Sequence, residues 1–108
     1  MKNEERIFYT DDTILDFNFI NNGIKIFLKE NDILNIKATD FVDESSLKGT
    51  PPYKFEISLD GEIYVEDEIT IDFSNIGEYV VHIKITDSSN PEIWGLRTTS
   101  LIVGENSD

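Results

Sequence analysis

The chain has 108 residues, of which 39% are hydrophobic and 29% charged, and this is the length and composition of a single folded domain with one core. No apolar run approaches the roughly 20 residues of a membrane-spanning helix, and the absence of cysteine excludes disulfides and thiolate chemistry. The 22 acidic and 9 basic residues give a net charge of −13, which argues against nucleic acid as a partner because phosphate binding needs clustered Lys and Arg. We therefore predict one domain over residues 1–108, without nucleic-acid binding or membrane insertion.

The first half of the chain alternates apolar and polar side chains, as half-buried strands do. Residues 15–19 and 24–28 both show this alternation, and Asn21-Asn22-Gly23 between them predicts a β-hairpin. Residues 33–39 predict a third strand that buries every second side chain. The polar segment 40–50 is predicted to be the longest loop.

The second half begins with Pro51-Pro52, which end that loop. Proline has no N–H to donate, so it fits just before a strand, where no hydrogen bond to a neighbouring strand is needed yet. Residues 53–59 alternate cleanly, and Asp60-Gly61 predicts a second hairpin into residues 62–65. Alternation returns in residues 69–73. These segments predict three further strands.

The most regular alternation lies in residues 77–86, which begin with Gly77 and end at a turn-prone loop over residues 87–91. Residues 97–103 predict the last strand. About eight strands without any helical pattern are typical of a sandwich or barrel. The predicted core contains residues from most of these strands: Phe17, Ile36, Phe55, Ile57, Phe73, Tyr79, Val81, Ile83 and Leu101.

Three segments carry a family resemblance: residues 49–57, residues 77–87 and the strand around Thr98-Thr99. Their order is similar to that of bacterial Ig-like, PKD-like and cadherin-like modules. The resemblance implies an all-β fold, an Ig-like antiparallel β-sandwich of about 7–8 strands. It also implies that Tyr79 donates a hydrogen bond to the preceding turn, as in a tyrosine corner; the alternative is an ordinary core aromatic.

The cadherin-like part of the resemblance implies a calcium site at one pole of the sandwich, formed by the strand-end residues Asp40 and Asp87 with Asp43 or Glu44 as a loop ligand. Val42 stands where that family has a second acid. Calcium takes six to eight oxygens, and the chain assembles only three or four. A bound ion would be weak or shared with a neighbouring domain, and ordinary solvated surface charge or mimicry of nucleic-acid charge are the alternatives.

No motif of a catalytic site is present, and the single histidine, His82, lies on the outward parity of its strand, so we predict that the chain is not an enzyme. Trp94 is predicted to lie in the loop before the last strand. There it either anchors a protein partner or a sugar ring, or it plugs one end of the sandwich.

Two functional hypotheses of different class follow. The first is a non-catalytic structural, adhesion or binding module of a larger bacterial cell-surface or secreted protein, whose partners are neighbouring domains, another protein or a glycan. The second is a free-standing small acidic protein, cytoplasmic or phage-encoded, that binds a basic partner; the absence of a secretory signal in residues 1–6 favours it. Residues 1–5 and 105–108 are expected to be flexible tails or linker ends.

Overall fold

The computed structural model describes residues 15–66 and 68–106, and these residues form eight β-strands and three short 3-10 turns. No helix of the described part of the chain is long and apolar enough to cross a membrane. The predicted all-β class is confirmed. The strands are β1 (Asn18–Phe19), β2 (Ile24–Leu28), β3 (Ile33–Ile36), β4 (Val42–Asp43), β5 (Lys54–Ser58), β6 (Ile69–Asp72), β7 (Gly77–Thr86) and β8 (Trp94–Glu105), and the 3-10 turns are Ala38–Asp40, Glu44–Ser46 and Phe73–Asn75.

The main sheet has four strands in the order β2-β8-β7-β5. Strands β7 and β8 form an antiparallel ribbon whose register runs from the pair Gly77 and Val103 to the pair Thr86 and Trp94. Strand β5 is antiparallel to β7, whereas β2 runs parallel to β8. The sheet is therefore mixed, and the expectation of an entirely antiparallel arrangement is wrong at β2.

Two small antiparallel sheets accompany the main sheet in the described part of the chain, β1 with β4 and β3 with β6. The first predicted hairpin is wrong, because β1 and β2 belong to different sheets. At the crossover, Gly23 has φ 131°, and a Cβ there would lie 2.4 Å from Ser100 Oγ on β8. The chain thus passes closely over β8 instead of folding back on itself. Alternation predicts which side chains turn inward, but it carries no information on the partner strand.

The second predicted hairpin is reduced to one bridge, between Ile57 and Val65. The turn before it is built by Asp60, whose Oδ1 accepts hydrogen bonds from the backbone N–H groups of Glu62 and Ile63 at 2.8 and 3.0 Å. These bonds hold the backbone in a turn where the hairpin prediction required a strand. The second strand of that hairpin is therefore absent between residues 62 and 65.

Two further boundaries differ from the prediction. The polar segment 40–50 contains the last residue of the 3-10 turn Ala38–Asp40, then β4 and the 3-10 turn Glu44–Ser46, so it is not one long loop. The predicted C-terminal tail begins too early, because Glu105 is the last residue of β8 and the Asn106 N–H donates to the Leu28 carbonyl oxygen at 2.8 Å. Residues 1–5 and 107–108 lie outside the described part of the chain.

One hydrophobic core receives side chains from all three sheets. Six of the nine predicted core residues are buried, and Phe55, Phe73 and Tyr79 are partly buried against them. The central residues of β7 follow the alternation of the sequence, because Val81, Ile83 and Ile85 are completely buried. The buried core residues are Leu15, Phe17, Leu28, Ile36, Ala38, Phe41, Val42, Ile57, Ile71, Val81, Ile83, Ile85, Leu101 and Val103.

Two tyrosines fix turns at the edges of this core. The Tyr79 hydroxyl donates to the Asn75 carbonyl oxygen at 2.6 Å, which confirms the predicted hydrogen bond to the preceding turn. The Tyr53 hydroxyl donates in the same way, four residues back, to the Gly49 carbonyl oxygen at 2.7 Å. Each bond ties a turn to the strand that follows it, so the loops at both places have a defined position.

Candidate functional site

Trp94 is the first residue of β8, so the last strand begins three residues earlier than residue 97, where it was predicted to begin. Its side chain is 49% exposed, whereas the next residue, Gly95, is buried. Leu15 lies against this end of β8, and its N–H donates a hydrogen bond to the Trp94 carbonyl oxygen at 3.1 Å. Because side chains alternate along a strand, an inward Gly95 turns Trp94 outward. The alternative in which Trp94 plugs the sandwich is therefore wrong.

Trp94 belongs to the outer face of the main sheet, which is the set of side chains that point away from the core. The register places Trp94 beside Thr86 of β7, and Thr86 beside Lys54 of β5. The next row across the same three strands consists of Leu96, Lys84 and Glu56. On β5, β7 and the first residues of β8, the outer face thus includes exposed apolar side chains together with lysine and glutamate: Lys54, Glu56, Val80, His82, Lys84, Thr86, Trp94 and Leu96.

An open groove of about 540 Å³ runs along the β5 and β7 side of this face. Thr86 and Lys84 line it from the middle strand, and Lys54 and Glu56 line it from the edge strand. The Lys84 Nζ lies 4.9 Å from the centroid of the Trp94 ring, a cation–π distance that orients the ring beside the groove. The arrangement therefore offers an aromatic surface next to polar groups.

Asp87 holds the loops that form one end of the groove. Its side chain is buried, Oδ1 accepts hydrogen bonds from Ser89 N, Ser89 Oγ and Ile93 N, and Oδ2 accepts one from Thr50 N. Burial raises the pKa of this carboxyl group. The hydrogen bonds lower the pKa by more than burial raises it, and the result is a pKa of about 2. Asp87 is therefore an ionised carboxylate whose two oxygens join two loops by four hydrogen bonds.

The other two aspartates of the predicted calcium site also serve their own turns. Asp40 Oδ2 accepts from Lys37 N at 2.9 Å, and Asp43 Oδ1 accepts from Ser45 N and Oγ at 3.1 and 2.6 Å. In residues 15–66 and 68–106, no group of three or more His, Cys, Asp or Glu side chains is placed to hold a metal ion. The calcium site therefore stays a prediction with no support from the described geometry.

The turn aspartates share a spacing that is absent from the sequence predictions. Asp43, Asp72 and Asp87 are each followed two residues later by a serine, and each carboxylate accepts from both the N–H and the hydroxyl of that serine. The Ser74 hydroxyl and N–H lower the pKa of Asp72 in the same manner. Asp-x-Ser is thus a turn-building motif of this chain, and part of its negative charge has a structural role.

His82 lies on the outer face, as predicted, and is partly covered by the turn at Gly61, where a Cβ would lie 3.0 Å from His82 Cε1. Its strand neighbours across the sheet are Ser58 and Thr98. This position has a structural explanation, since the ring supports the turn. The absence of enzymatic activity stays a prediction.

Comparison of the chain with protein-family models, with curated proteins and with solved structures gives no significant match. The resemblance to Ig-like, PKD-like and cadherin-like modules therefore stays a prediction from the sequence. The assignment of function depends on the outer face itself.

Proposed function

We propose that this chain is a non-catalytic binding module, an Ig-like β-sandwich carried by a larger bacterial cell-surface or secreted protein, and that it contacts its partner through the outer face around Trp94. The observation that carries the proposal is the exposure of Trp94 and Leu96 on the outer face, at 49% and 46%. Large apolar side chains that remain exposed side by side on a charged surface are typical of interaction sites.

The rigidity of the scaffold supports a binding role. The outer face lies on the ten-pair ribbon of β7 and β8, and the opposite side of that ribbon carries completely buried side chains such as Ile83. Tyr53 and Asp87 fix the loops at the end of the groove. A surface held in this way loses little conformational entropy on binding, which favours affinity.

The Ig-like part of the proposal is supported by the hydrogen bond of Tyr79 to the turn four residues before it and by the single core shared by the three sheets. The location on a bacterial cell surface is supported by the resemblance of residues 49–57 and 77–87 to surface modules. The absence of catalysis is supported by the position of His82, whose neighbours across the sheet are Ser58 and Thr98 and include no carboxylate.

Antibody staining and bead adhesion test the proposal together. Antibodies against the chain should stain intact cells of the source organism without permeabilisation. Beads coated with the wild-type chain should be retained on the surface that the organism colonises, and beads coated with Trp94→Ala should not. Ile33→Ser is the matched control, because Ile33 is 71% exposed but belongs to β3 in another sheet.

Each outcome separates the hypotheses. Staining only after permeabilisation would refute the surface location, and equal retention of Trp94→Ala and wild type would refute the role of the outer face. Retention that is abolished by moderate salt and is unchanged in Trp94→Ala would instead favour the small acidic protein with a basic partner, because long-range charge attraction is screened by salt.

A further inference from the structure

We propose that the groove beside Trp94 binds a neutral saccharide, with one face of a sugar ring on the indole of Trp94 and its hydroxyl groups toward Lys54 and Glu56. This inference rests on the proposed function and names the class of ligand for the same face. Its basis is the row formed by Lys54, Thr86 and Trp94 across three strands. Lys54 and Thr86 of that row line the polar groove, and the exposed ring of Trp94 lies next to the groove, beyond Thr86.

The chemistry of a sugar matches both parts of the site. A pyranose ring has a C–H face that packs on a flat aromatic surface, and hydroxyl groups around its edge that each donate and accept hydrogen bonds. Trp94 is half exposed, and the Lys84 ammonium group lies over one face of its ring, 4.9 Å from the centroid, so a sugar packs on the ring surface that Lys84 leaves open. The ring is therefore held in place before a ligand arrives.

Unused hydrogen-bonding groups line the groove. Within the described residues, the side chains of Lys54, Glu56 and Glu92 make no hydrogen bond or ion pair with the rest of the chain. In contrast, the hydroxyl of Ser89 is bonded to Asp87, so it is already occupied. The lysine supplies donors and the two glutamates supply acceptors, which is the combination that a sugar hydroxyl can use from either side.

The charge of the groove selects among saccharides. Lys54 and Lys84 face three glutamates, Glu56, Glu66 and Glu92, and the whole chain carries a net charge of −13. Anionic sugars such as uronic acids would be repelled by this surface, whereas neutral sugars gain the same hydrogen bonds without that cost. The groove is also open and shallow, which suits one edge of a polysaccharide better than an enclosed small molecule.

The fluorescence of Trp94 tests this inference directly, because Trp94 is the only tryptophan in the chain. The wild-type protein is titrated with oligosaccharides of glucose, xylose, mannose and N-acetylglucosamine, and with oligogalacturonate as the anionic comparison. We expect a saturable change in emission with at least one neutral oligosaccharide at millimolar concentration or below. Lys54→Ala should weaken that binding by about tenfold, which is the loss of one good hydrogen-bonding group.

Phe27→Ala is the matched control, because Phe27 is an exposed aromatic at 60% but lies on β2, at the opposite edge of the same sheet. Its affinity should equal that of wild type. Trp94→Ala, measured by calorimetry, should lose binding while its melting temperature stays close to that of wild type, since the side chain is half exposed.

No saturable change with any of the neutral oligosaccharides would overturn the inference, and so would tighter binding of oligogalacturonate. Failure of the inference is distinguishable from failure of the proposed function. If the coated beads adhere through Trp94 but none of the saccharides binds or competes, the binding module stands and its ligand is a protein.

Discussion

Replacement of Gly95 by alanine is the sharpest test of how the outer face is positioned. A Cβ at this residue would lie 1.9 Å from the Leu15 carbonyl oxygen and 3.0 Å from its carbonyl carbon, both backbone atoms that cannot rotate away. The variant must therefore push Leu15 off β8. That movement breaks the 3.1 Å hydrogen bond from Leu15 N to the Trp94 carbonyl oxygen and disturbs a side chain that is only 2% exposed.

The expected magnitude follows from the terms that oppose one another. Overpacking costs about 1–3 kcal/mol, and the lost hydrogen bond costs roughly 0.5–1.5 kcal/mol. Alanine restricts the unfolded chain more than glycine does, and this stabilises the folded variant by only about 0.4–1 kcal/mol. The destabilising terms are therefore larger than the stabilising one. Gly95→Ala should lower the free energy of unfolding by about 2 kcal/mol, which corresponds to a decrease of about 10 °C in the melting temperature.

Gly104→Ala is the matched control in the same strand. A Cβ there would lie 3.1 Å from the ring of Phe27, an exposed side chain that can move, so the change in stability should stay within about 1 kcal/mol. Urea unfolding followed by circular dichroism measures both variants. Equal stability of Gly95→Ala and wild type would refute the close approach of Leu15 to β8, and with it the reason why Trp94 faces outward.

Three further predictions concern the core and the turns. Ile83→Ala should cost about 2–5 kcal/mol in urea unfolding, since this side chain is completely buried, and a neutral effect would contradict its place in the core. Tyr79→Phe and Tyr53→Phe should each cost roughly 0.5–1.5 kcal/mol, because each removes one hydrogen bond and no packing volume; unchanged melting of both variants would exclude the two turn contacts. The folded-state pKa of Asp60 and of Asp87 is about 2, below the usual value. The stability that these carboxylates provide is present above about pH 4 and is lost as the pH falls toward 2. In urea unfolding at a series of pH values, the free energy of unfolding of Asp87→Asn should therefore fall less steeply with acid than that of wild type. Identical pH profiles of the two proteins would contradict the lowered pKa of Asp87.

The sequence predicts the parts of the fold that depend on one strand at a time. Val81 and Ile83 alternate with polar residues and are buried as the alternation requires, and Tyr79 bonds the turn before it. Strand pairing is a different matter, since Asn22-Gly23 has the composition of a hairpin turn but joins strands of two different sheets. The close approach of Gly23 to Ser100 at this crossover is a long-range contact that no local pattern encodes.

The candidate site was predictable only in part. Trp94 is singled out by its chemistry, but its outward direction depends on Gly95, which in the sequence looks like an interruption of a strand and in the fold makes room for Leu15. Asp87 looks like a metal ligand because its type and its strand-end position are right for calcium. Its hydrogen bonds to Ser89 explain it as a turn residue, and the Asp-x-Ser spacing is the local signal that could have indicated this.

The fluorescence of Trp94 in the free protein tests whether the outer face is available to a partner, because its binding role depends on an indole that is exposed in the folded state. At 49% exposure, its emission should lie close to that of the unfolded chain, acrylamide should quench it readily, and unfolding in urea should change both properties little. A blue-shifted emission that acrylamide does not quench, and that moves strongly to the red on unfolding, would show Trp94 to be buried and would exclude it as a binding residue.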